Sequence, residues 1–345
     1  MIGALHISRA RTGEDPLWRI TPIAGPDRAS AAIGRTPEEA AQLLVRLFNL
    51  CAAAHGVAAA QALGLDEPLG PEPSDLERAH EGHARALGGL SLAAARQERL
   101  RDHALAVCLE WPAILGAPAD RDTLRRLGTG AEPEVCRTAL LGHPAIALAE
   151  ASITELERWL RAGASPLSRL LARVRALHPA WGQATLACPD APDIAQALEA
   201  GAPLVSRETT AADAWLTTPL MAALIARDGV SLFVRLLGRV MDVLDILAPP
   251  HAQRADLLPR ALPSTGLARA ARGLLAHRAH IEDGRVTHYR VLAPSAWNLA
   301  PGGLLARMLA ALPWREETPM LARLAIACVN PCVPVRLDLQ GGVDA

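Results

Sequence analysis

A 19-residue stretch without a single charged side chain, residues 47–65, limits the possible folds of this chain more than any other segment. The stretch is rich in alanine, but it also carries Asn49, His55 and Gln61, which a membrane-spanning helix would have to place in lipid. It therefore predicts a helix buried in a globular core. The first residues of the chain contain no apolar secretory segment, so we expect a cytoplasmic protein without membrane insertion.

The signals around this stretch predict one continuous helix over residues 36–63. Thr36 is a good N-cap, and Glu39 completes a capping box with it. Cys51 and His55 lie four residues apart and would share one face of the helix. The apolar stripe of this helix would consist of Leu43, Leu47, Leu50, Ala54 and Val57.

The rest of the chain has the pattern of a mainly helical protein. Residues 1–30 and 116–134 are expected to be irregular, whereas the alternation around Asp283-Gly284 predicts a β-hairpin. The predicted fold class is therefore mainly α with a small β element (α+β). Apolar residues at helical spacing predict further helices at roughly 76–115, 149–162, 167–177, 219–247, 302–312 and 319–329.

One domain over residues 1–345 accommodates these elements. It would comprise a cysteine motif helix at 36–63, a central helical region at 76–247, and a C-terminal hairpin, loop and cysteine region at 266–340. Half of the residues are hydrophobic and 21% are charged, as in packed globular proteins. The 35 basic residues are all arginine and are dispersed among acids, so no nucleic-acid binding is expected.

Six cysteines in a cytoplasmic chain would be reduced, which leaves metal binding or burial as their uses. Cys332 follows Asn330-Pro331, a pair that could open a helical turn and place the thiol at a helix N-terminus, where thiolate is favoured. The alternative from the local sequence is an ordinary buried thiol. His80 and His83 are three residues apart on a predicted helix, and we interpret them as a solvated surface pair.

Two cysteine segments, taken together, resemble the motifs of the nickel–iron hydrogenase large subunit. The N-terminal motif of that family is Arg-x-Cys-Gly-x-Cys-x-x-x-His, which Arg46, Cys51 and His55 match. The C-terminal motif is Asp-Pro-Cys-x-x-Cys-x-x-His, which Pro331 and Cys332 match. In the N-terminal motif, Phe48 replaces the first cysteine and Asn49 the glycine. In the C-terminal motif, Asn330 replaces the aspartate, Val335 the second cysteine and Asp338 the histidine.

Residues 271–301 closely follow a third segment of the same family, which ends in a Pro-x-x-Trp-Asn-x-x-Pro loop. The three segments occur in the family's order, and the resemblance implies a helical core like that of the large subunit. The residues that correspond in this segment are Arg272, Gly273, His277, Gly284, Tyr289, Pro294, Trp297, Asn298 and Pro301.

Two of the four thiolates that hold nickel in that family are missing here, so no nickel centre is expected. This pattern resembles the HupK/HoxV group of hydrogenase accessory proteins, which are similar to the large subunit but lack full ligation. The resemblance implies a maturation scaffold that is not an enzyme. It would transiently hold an iron with cyanide and carbon monoxide ligands, and its partners would be the nickel–iron hydrogenase large subunit and other hydrogenase accessory proteins.

The resemblance also implies roles for individual residues. Cys51 and Cys332 would ligate the iron, with Cys328 as an alternative, because Cys332 takes the place of a ligand that binds only nickel in the family. Arg272 would hydrogen-bond a cyanide nitrogen, which is an anionic acceptor. His55 would support the ligand Cys51 from the same helix face.

The loop from Pro294 to Asn298, with Ser295 inside it, would form one wall of the pocket and supply polar contacts. Two other functions stay open from the sequence. The chain could be a divergent hydrogenase-like enzyme with unusual metal ligation. It could also be a metal-free module that uses the inherited fold only to dock hydrogenase accessory proteins.

Overall fold

The computed structural model describes residues 2–12, 15–65, 91–142, 146–249 and 262–339. Helices make up most of these residues, and two three-stranded sheets complete the fold, which confirms the predicted mainly α class with a small β element. The strands are β1 (Ile2–Thr12), β2 (Asp15–Ala24), β3 (Thr265–Ala270), β4 (Gly273–Glu282), β5 (Arg285–Leu292) and β6 (Val335–Asp338).

The helices differ in several places from those predicted. Residues 116–134, expected to be irregular, contain a helix, and the predicted helix at 219–247 is two helices separated at Gly229, whose φ is +69°. Residues 76–90, with His80 and His83, lie outside the described residues. The helices are α1 (Pro37–Leu47), α2 (Ala52–Ala62), α3 (Leu92–Leu105), α4 (Arg121–Gly128), α5 (Pro133–Leu141), α6 (Ile153–Ala162), α7 (Pro166–Arg175), α8 (Ala191–Ala200), α9 (Pro219–Asp228), α10 (Leu232–Ile246), α11 (Pro294–Asn298), α12 (Leu304–Ala310) and α13 (Thr318–Val329).

The predicted helix over 36–63 bends by 92° at a corner between α1 and α2, so the prediction of one continuous helix is wrong. The capping box of Thr36 and Glu39 starts α1 as expected. At the corner, Phe48 leaves the helical conformation, and its ring stacks on that of His55 with centroids 4.1 Å apart. Leu50, assigned to the apolar stripe, is 58% exposed at the outside of this corner.

Helix α2 is buried almost entirely and packs against strand β3 through small residues. An added Cβ at Gly266 in β3 would lie 1.8 Å from the carbonyl oxygen of Ala58 in α2, so only glycine permits this approach. The backbone N–H of Leu267 donates to the side chain of Gln61 over 2.8 Å. The uncharged, alanine-rich sequence of α2 thus serves close packing inside the protein.

Helix α3 continues through a π-helical turn, Ala106–Glu110, into a last α-turn. Pro112 has no N–H to donate to the carbonyl of Cys108, four residues earlier. That carbonyl instead accepts from the backbone N–H of Asp120 over 2.9 Å. The proline therefore accounts for the local widening of the helix.

The first sheet has the order β2-β1-β6, in which β1 pairs antiparallel with β2 and parallel with β6. Residues 1–30 are consequently not irregular as predicted, because most of them form a long hairpin. Strand β6 begins three residues after Cys332 and aligns Leu5 with Val335. The sheet thus holds the two ends of the chain together.

The second sheet has the order β3-β4-β5 and is antiparallel throughout. Asp283 and Gly284 join β4 to β5 with φ values of +51° and +71°, which confirms the predicted hairpin. A two-residue turn, Ala271-Arg272, joins β3 to β4. In the part of the chain that the structure describes, no single helix is long and apolar enough to cross a membrane.

Candidate functional site

Four segments that are distant in sequence bring Cys51, Arg272, Ser295 and Cys332 together. Cys51 stands at the N-cap position of α2, Arg272 in the turn between β3 and β4, and Ser295 in the first turn of α11. Arg272 Nη1 donates to Cys51 Sγ over 3.2 Å. The thiol of Cys332 donates to Ser295 Oγ over 2.9 Å.

The turn that carries Arg272 depends on the glycine that follows it. Gly273 has a φ of +120°, and an added Cβ there would lie 1.1 Å from the carbonyl oxygen of Thr209. No other residue fits this position, because its conformation and its contact both exclude a side chain. The glycine therefore seats the turn against the core and lets Arg272 extend toward Cys51.

The expectation that Cys332 lies at a helix N-terminus is wrong. Asn330 adopts the left-handed conformation, with a φ of +48°, and ends α13. After Pro331 and Cys332 the chain bends and enters β6, so no helix starts here. The backbone N–H of Cys332 donates to Ser295 Oγ over 3.1 Å, which fixes the half-buried thiol through one hydroxyl.

The thiol of Cys51 is 6% exposed and uncharged in the free protein. Burial raises its pKa to about 12, and the guanidinium of Arg272 opposes this rise only in part. Cys332 lies close enough that a negative charge on its sulfur also raises the pKa of Cys51. The two sulfurs therefore share one electrostatic environment, in which a bound cation would favour the thiolate form.

Glu98 in α3 holds the first turn of α2, the helix that follows Cys51. Its carboxylate oxygens accept from the backbone N–H groups of Ala53, over 3.0 Å, and Ala54, over 3.5 Å. Burial raises the pKa of Glu98. Nothing near Glu98 in the chain indicates a partner 45 positions away, so the sequence alone does not reveal its role.

Asp102 in α3 joins the site to the core behind it. Its carboxylate accepts from Arg272 Nη2 over 2.9 Å, from Arg239 Nη2 over 2.6 Å and from the amide of Asn330 over 2.9 Å. Burial acts to raise the pKa of Asp102, but Arg239 and Arg272 outweigh it and hold the pKa below its usual value. Asp102 thus fixes the orientation of Arg272, and sequence reasoning missed it as well.

Behind Asp102, His103 lies fully buried between two charged partners. Arg239 Nε donates to His103 Nδ1 over 2.8 Å, so Nδ1 accepts, and the other ring nitrogen carries the proton. His103 Nε2 donates to Asp242 over 2.9 Å. Burial lowers the pKa of His103 despite Asp242, so the imidazole is neutral and serves to position Arg239.

His55 faces away from the thiols toward strand β4. Its Nδ1 lies 2.9 Å from His277 Nε2, and His277 Nδ1 lies 2.8 Å from the hydroxyl of Tyr289. Burial lowers the pKa of His55 to about 3, so the ring is neutral. Within the described residues no hydrogen bond links His55 to either cysteine, and its contacts support the corner at Phe48 instead.

The predicted loop from Pro294 to Asn298 is the short helix α11. The backbone N–H of Thr209 donates to Asn298 Oδ1 over 3.0 Å, and the Thr209 hydroxyl donates to the carbonyl of Pro294 over 3.4 Å. The amide nitrogen of Asn298 is buried and has no partner among the residues that the structure describes. The same holds for Arg272 Nε, so two buried donors are left unused.

Cys328 does not join Cys51 and Cys332 in any described contact. It lies in α13, where its thiol points to the carbonyl of Leu232 over 3.7 Å inside the main hydrophobic core. Burial raises its pKa to about 12. Across ranges 2–12, 15–65, 91–142, 146–249 and 262–339, no three histidine, cysteine or acidic side chains are grouped to hold a metal ion.

A cleft of about 410 Å³ borders the site on the side of α3. The ion pairs of Asp102 line it, together with three residues of the π-helical turn. The cleft is lined by Asp102, Leu105, Ala106, Leu109, Glu110, Arg239, Arg272 and Asn330.

The sequence and the fold are similar to those of known proteins. The family model of nickel-dependent hydrogenases matches residues 217–307, which include Arg272 and Ser295. In a solved structure, the nickel–iron–selenium hydrogenase from D. vulgaris Hildenborough in its as-isolated oxidised state superimposes with a TM-score of 0.52. It covers 91% of this chain and 92% of the hydrogenase chain at 14% identity, and so shows a shared fold.

Two curated relatives match over nearly the whole chain. The hydrogenase expression/formation protein HupV of Azotobacter chroococcum mcd 1 is 31% identical, covering 89% of each chain. The hydrogenase expression/formation protein HupK of Rhodobacter capsulatus is 34% identical over 346 residues, covering 98% of each chain. This chain belongs to the family of hydrogenase expression/formation proteins that includes HupK.

Proposed function

We propose that this protein is a hydrogenase maturation scaffold that holds an iron–cyanide–carbonyl fragment and releases it to a nickel–iron hydrogenase large subunit. The family membership supports an accessory role among hydrogenase components. The observation that carries the finer proposal is the position of the buried Arg272, which donates to Cys51 and lies close enough to Cys332 that a charge on that sulfur raises the pKa of the guanidinium. The protein does not itself catalyse a reaction in this proposal.

The donor set fits an iron of this kind. Two thiols supply soft ligands, and a carbonyl ligand occupies a coordination position without needing a protein donor. The unused buried donors, Arg272 Nε and Asn298 Nδ2, suit the anionic nitrogen ends of cyanide ligands. A ligand that accepted from them would remove the desolvation cost that these two groups carry in the free protein.

The other two positions of the four-thiolate motif have structural uses here. Phe48 stacks on His55 at the corner, and Val335 pairs with Leu5 in the first sheet. Neither side chain can bind a metal, so a nickel centre of the hydrogenase type has too few ligands. A carrier must hold the fragment more weakly than the acceptor does, and each difference of ~1.4 kcal/mol in binding free energy shifts the fragment tenfold toward the acceptor.

The second candidate is a metal-free docking module, which is favoured by the finding that no three histidine, cysteine or acidic side chains are grouped to hold a metal ion among the described residues. Its partners would be the same hydrogenase large subunit and accessory proteins. The two candidates differ in what they require of the thiols, because docking alone needs neither Cys51 nor Cys332.

A maturation assay separates them. In a hydrogenase-producing host that lacks its own copy of this gene, the wild-type chain should restore hydrogen uptake by the large subunit. We expect Cys51→Ser and Cys332→Ser to restore little of it, whereas Cys328→Ser, in the core, serves as the control that retains function. Full restoration by both serine variants would contradict the scaffold and support docking without metal.

A further inference from the structure

Two histidines face each other across the outer side of the β4–β5 hairpin. His280 in β4 and His288 in β5 are register partners, and both are exposed. Their ring centroids lie 6.1 Å apart, with the ring planes at 86°. The opposite side of the same strands carries the buried His277 and Tyr289, so this pair is separate from the thiol site.

Thr287, next to the β-bulge that follows His280, determines which ring nitrogen of His288 carries the proton. The register shifts at this point, and the Thr287 hydroxyl donates to the carbonyl oxygen of His280 over 3.3 Å. A hydroxyl has one hydrogen, so towards His288 Nδ1, 3.4 Å away, the same oxygen must accept. His288 then carries its proton on Nδ1 and presents the lone pair of Nε2, the form in which imidazole binds a metal.

The distance between the two imidazole rings suits the binding of one shared metal ion. Imidazole nitrogens bind Zn²⁺ at about 2.0–2.1 Å, which places the centroids of two rings on one tetrahedral ion roughly 5–6 Å apart. The observed 6.1 Å is within reach of small side-chain rotations. Histidines on paired strands keep this spacing because the backbone ladder fixes their Cβ atoms.

The geometry points to a chelating site for a borderline divalent transition ion, held by His280 and His288 across the hairpin. Imidazole suits Zn²⁺, Ni²⁺ and Cu²⁺, and two protein ligands leave the other coordination positions for water or for a ligand from another molecule. The neighbouring cross-strand pair, Arg278 and Arg290, adds positive charge, which weakens the site. Arg278 Nε donates to Thr265 Oγ1 over 3.3 Å, so the Arg278 guanidinium is hydrogen-bonded to β3.

The test is a calorimetric titration of the full chain with Ni²⁺ alone. Cys51→Ser, Cys332→Ser protein is used as the background, so that the central thiols do not compete for the ion. His280→Asn and His288→Asn are compared separately and combined. His178→Asn, which removes a histidine outside the hairpin, is the matched control.

We expect each single hairpin variant to weaken Ni²⁺ binding by about tenfold or more, because a chelate loses its advantage with either ligand. The combined variant should bind little more weakly than either single variant, since the two ligands act as one unit. The control should bind as the background does. Unchanged affinity in either single variant, or losses that simply add in the combined variant, would overturn the site.

Discussion

The guanidinium of Arg272 is shared between a thiol and a carboxylate. One nitrogen donates to Cys51 and another to Asp102, and the fork geometry of arginine makes both contacts possible from one side chain. Asp102 in turn binds Arg239 and Asn330, so contacts away from the thiols fix the position of the Arg272 guanidinium. The residue that faces the thiols is thus held by groups that never touch them.

Replacement of Asp102 by asparagine tests this support. Arg239 and Arg272 would lose their shared counter-charge while staying mostly buried, so we expect the free energy of unfolding to fall by about 3 kcal/mol. Urea unfolding followed by circular dichroism measures it. Asp122→Asn is the matched control, because the Asp122–Arg125 pair is largely exposed and should change stability little. Equal effects of the two substitutions would contradict the role of Asp102.

The buried imidazoles make stability depend on pH. Burial lowers the pKa of His55 to about 3 and also lowers the pKa values of His103 and His277 below the ordinary imidazole value of 6.5. Below pH 6.5 the unfolded chain binds protons that the folded protein does not, so stability falls as the pH drops. From pH 7 to 5.5 we expect a loss of about 1 kcal/mol from His55, and further losses of the same sign from His103 and His277.

Urea unfolding at the two pH values checks this expectation. His55→Gln removes one titrating group and should reduce the loss. A folded protein whose stability is equal at pH 7 and pH 5.5 would show that these imidazoles are not kept neutral by burial.

At the scale of elements, the close contact between α2 and β3 positions Cys51. The contact needs Gly266, because an added Cβ would overlap the carbonyl of Ala58. Gly266→Ala should therefore destabilise the protein by about 3 kcal/mol, since α2 or β3 must shift. Gly128→Ala is the control: its added Cβ meets nothing within 4 Å. Thermal unfolding of both variants measures the difference, and equal melting temperatures would refute the packing account.

The sequence predicted those helix starts and turns that depend on residues close together in the chain. The capping box at Thr36 and the turn at Asp283-Gly284 each depend on residues a few positions apart, and both were found. The corner between α1 and α2 was missed, because a ring contact between Phe48 and His55 accompanies it and helical periodicity does not reveal such a contact. Strand β6 was missed for a similar reason, since its partner β1 lies at the other end of the chain.

The candidate site was predicted only in part. Cys51, Cys332, Arg272 and the segment around Ser295 were found through the resemblance of their motifs, and the structure brings these residues together, whereas Cys328 lies in the core. Asp102 and Glu98 carry no local signal, because their partners lie on other elements. Whether these residues hold a metal stays a prediction.

At the scale of the whole molecule, the fold joins the two ends of the chain and so brings the segments of Cys51 and Cys332 to the surroundings of Arg272. Strand β6 beside β1 holds the segment of Cys332, while α1 and α2 hold that of Cys51. Under the proposed function, a protein with this fold and only half of the four-thiolate motif would keep a place for an iron fragment but not for a nickel centre. A carrier has to release its cargo, and an incomplete set of thiolates would serve that release.

The most direct test is infrared spectroscopy of the protein purified without oxygen from a hydrogenase-producing host. The account predicts cyanide and carbonyl stretching bands in the wild-type protein and in Cys328→Ser, and their loss in the Cys51→Ser, Cys332→Ser double variant. Bands that persist in the double variant would place the iron at other ligands. A wild-type protein without bands, purified together with its partner proteins, would contradict the scaffold itself.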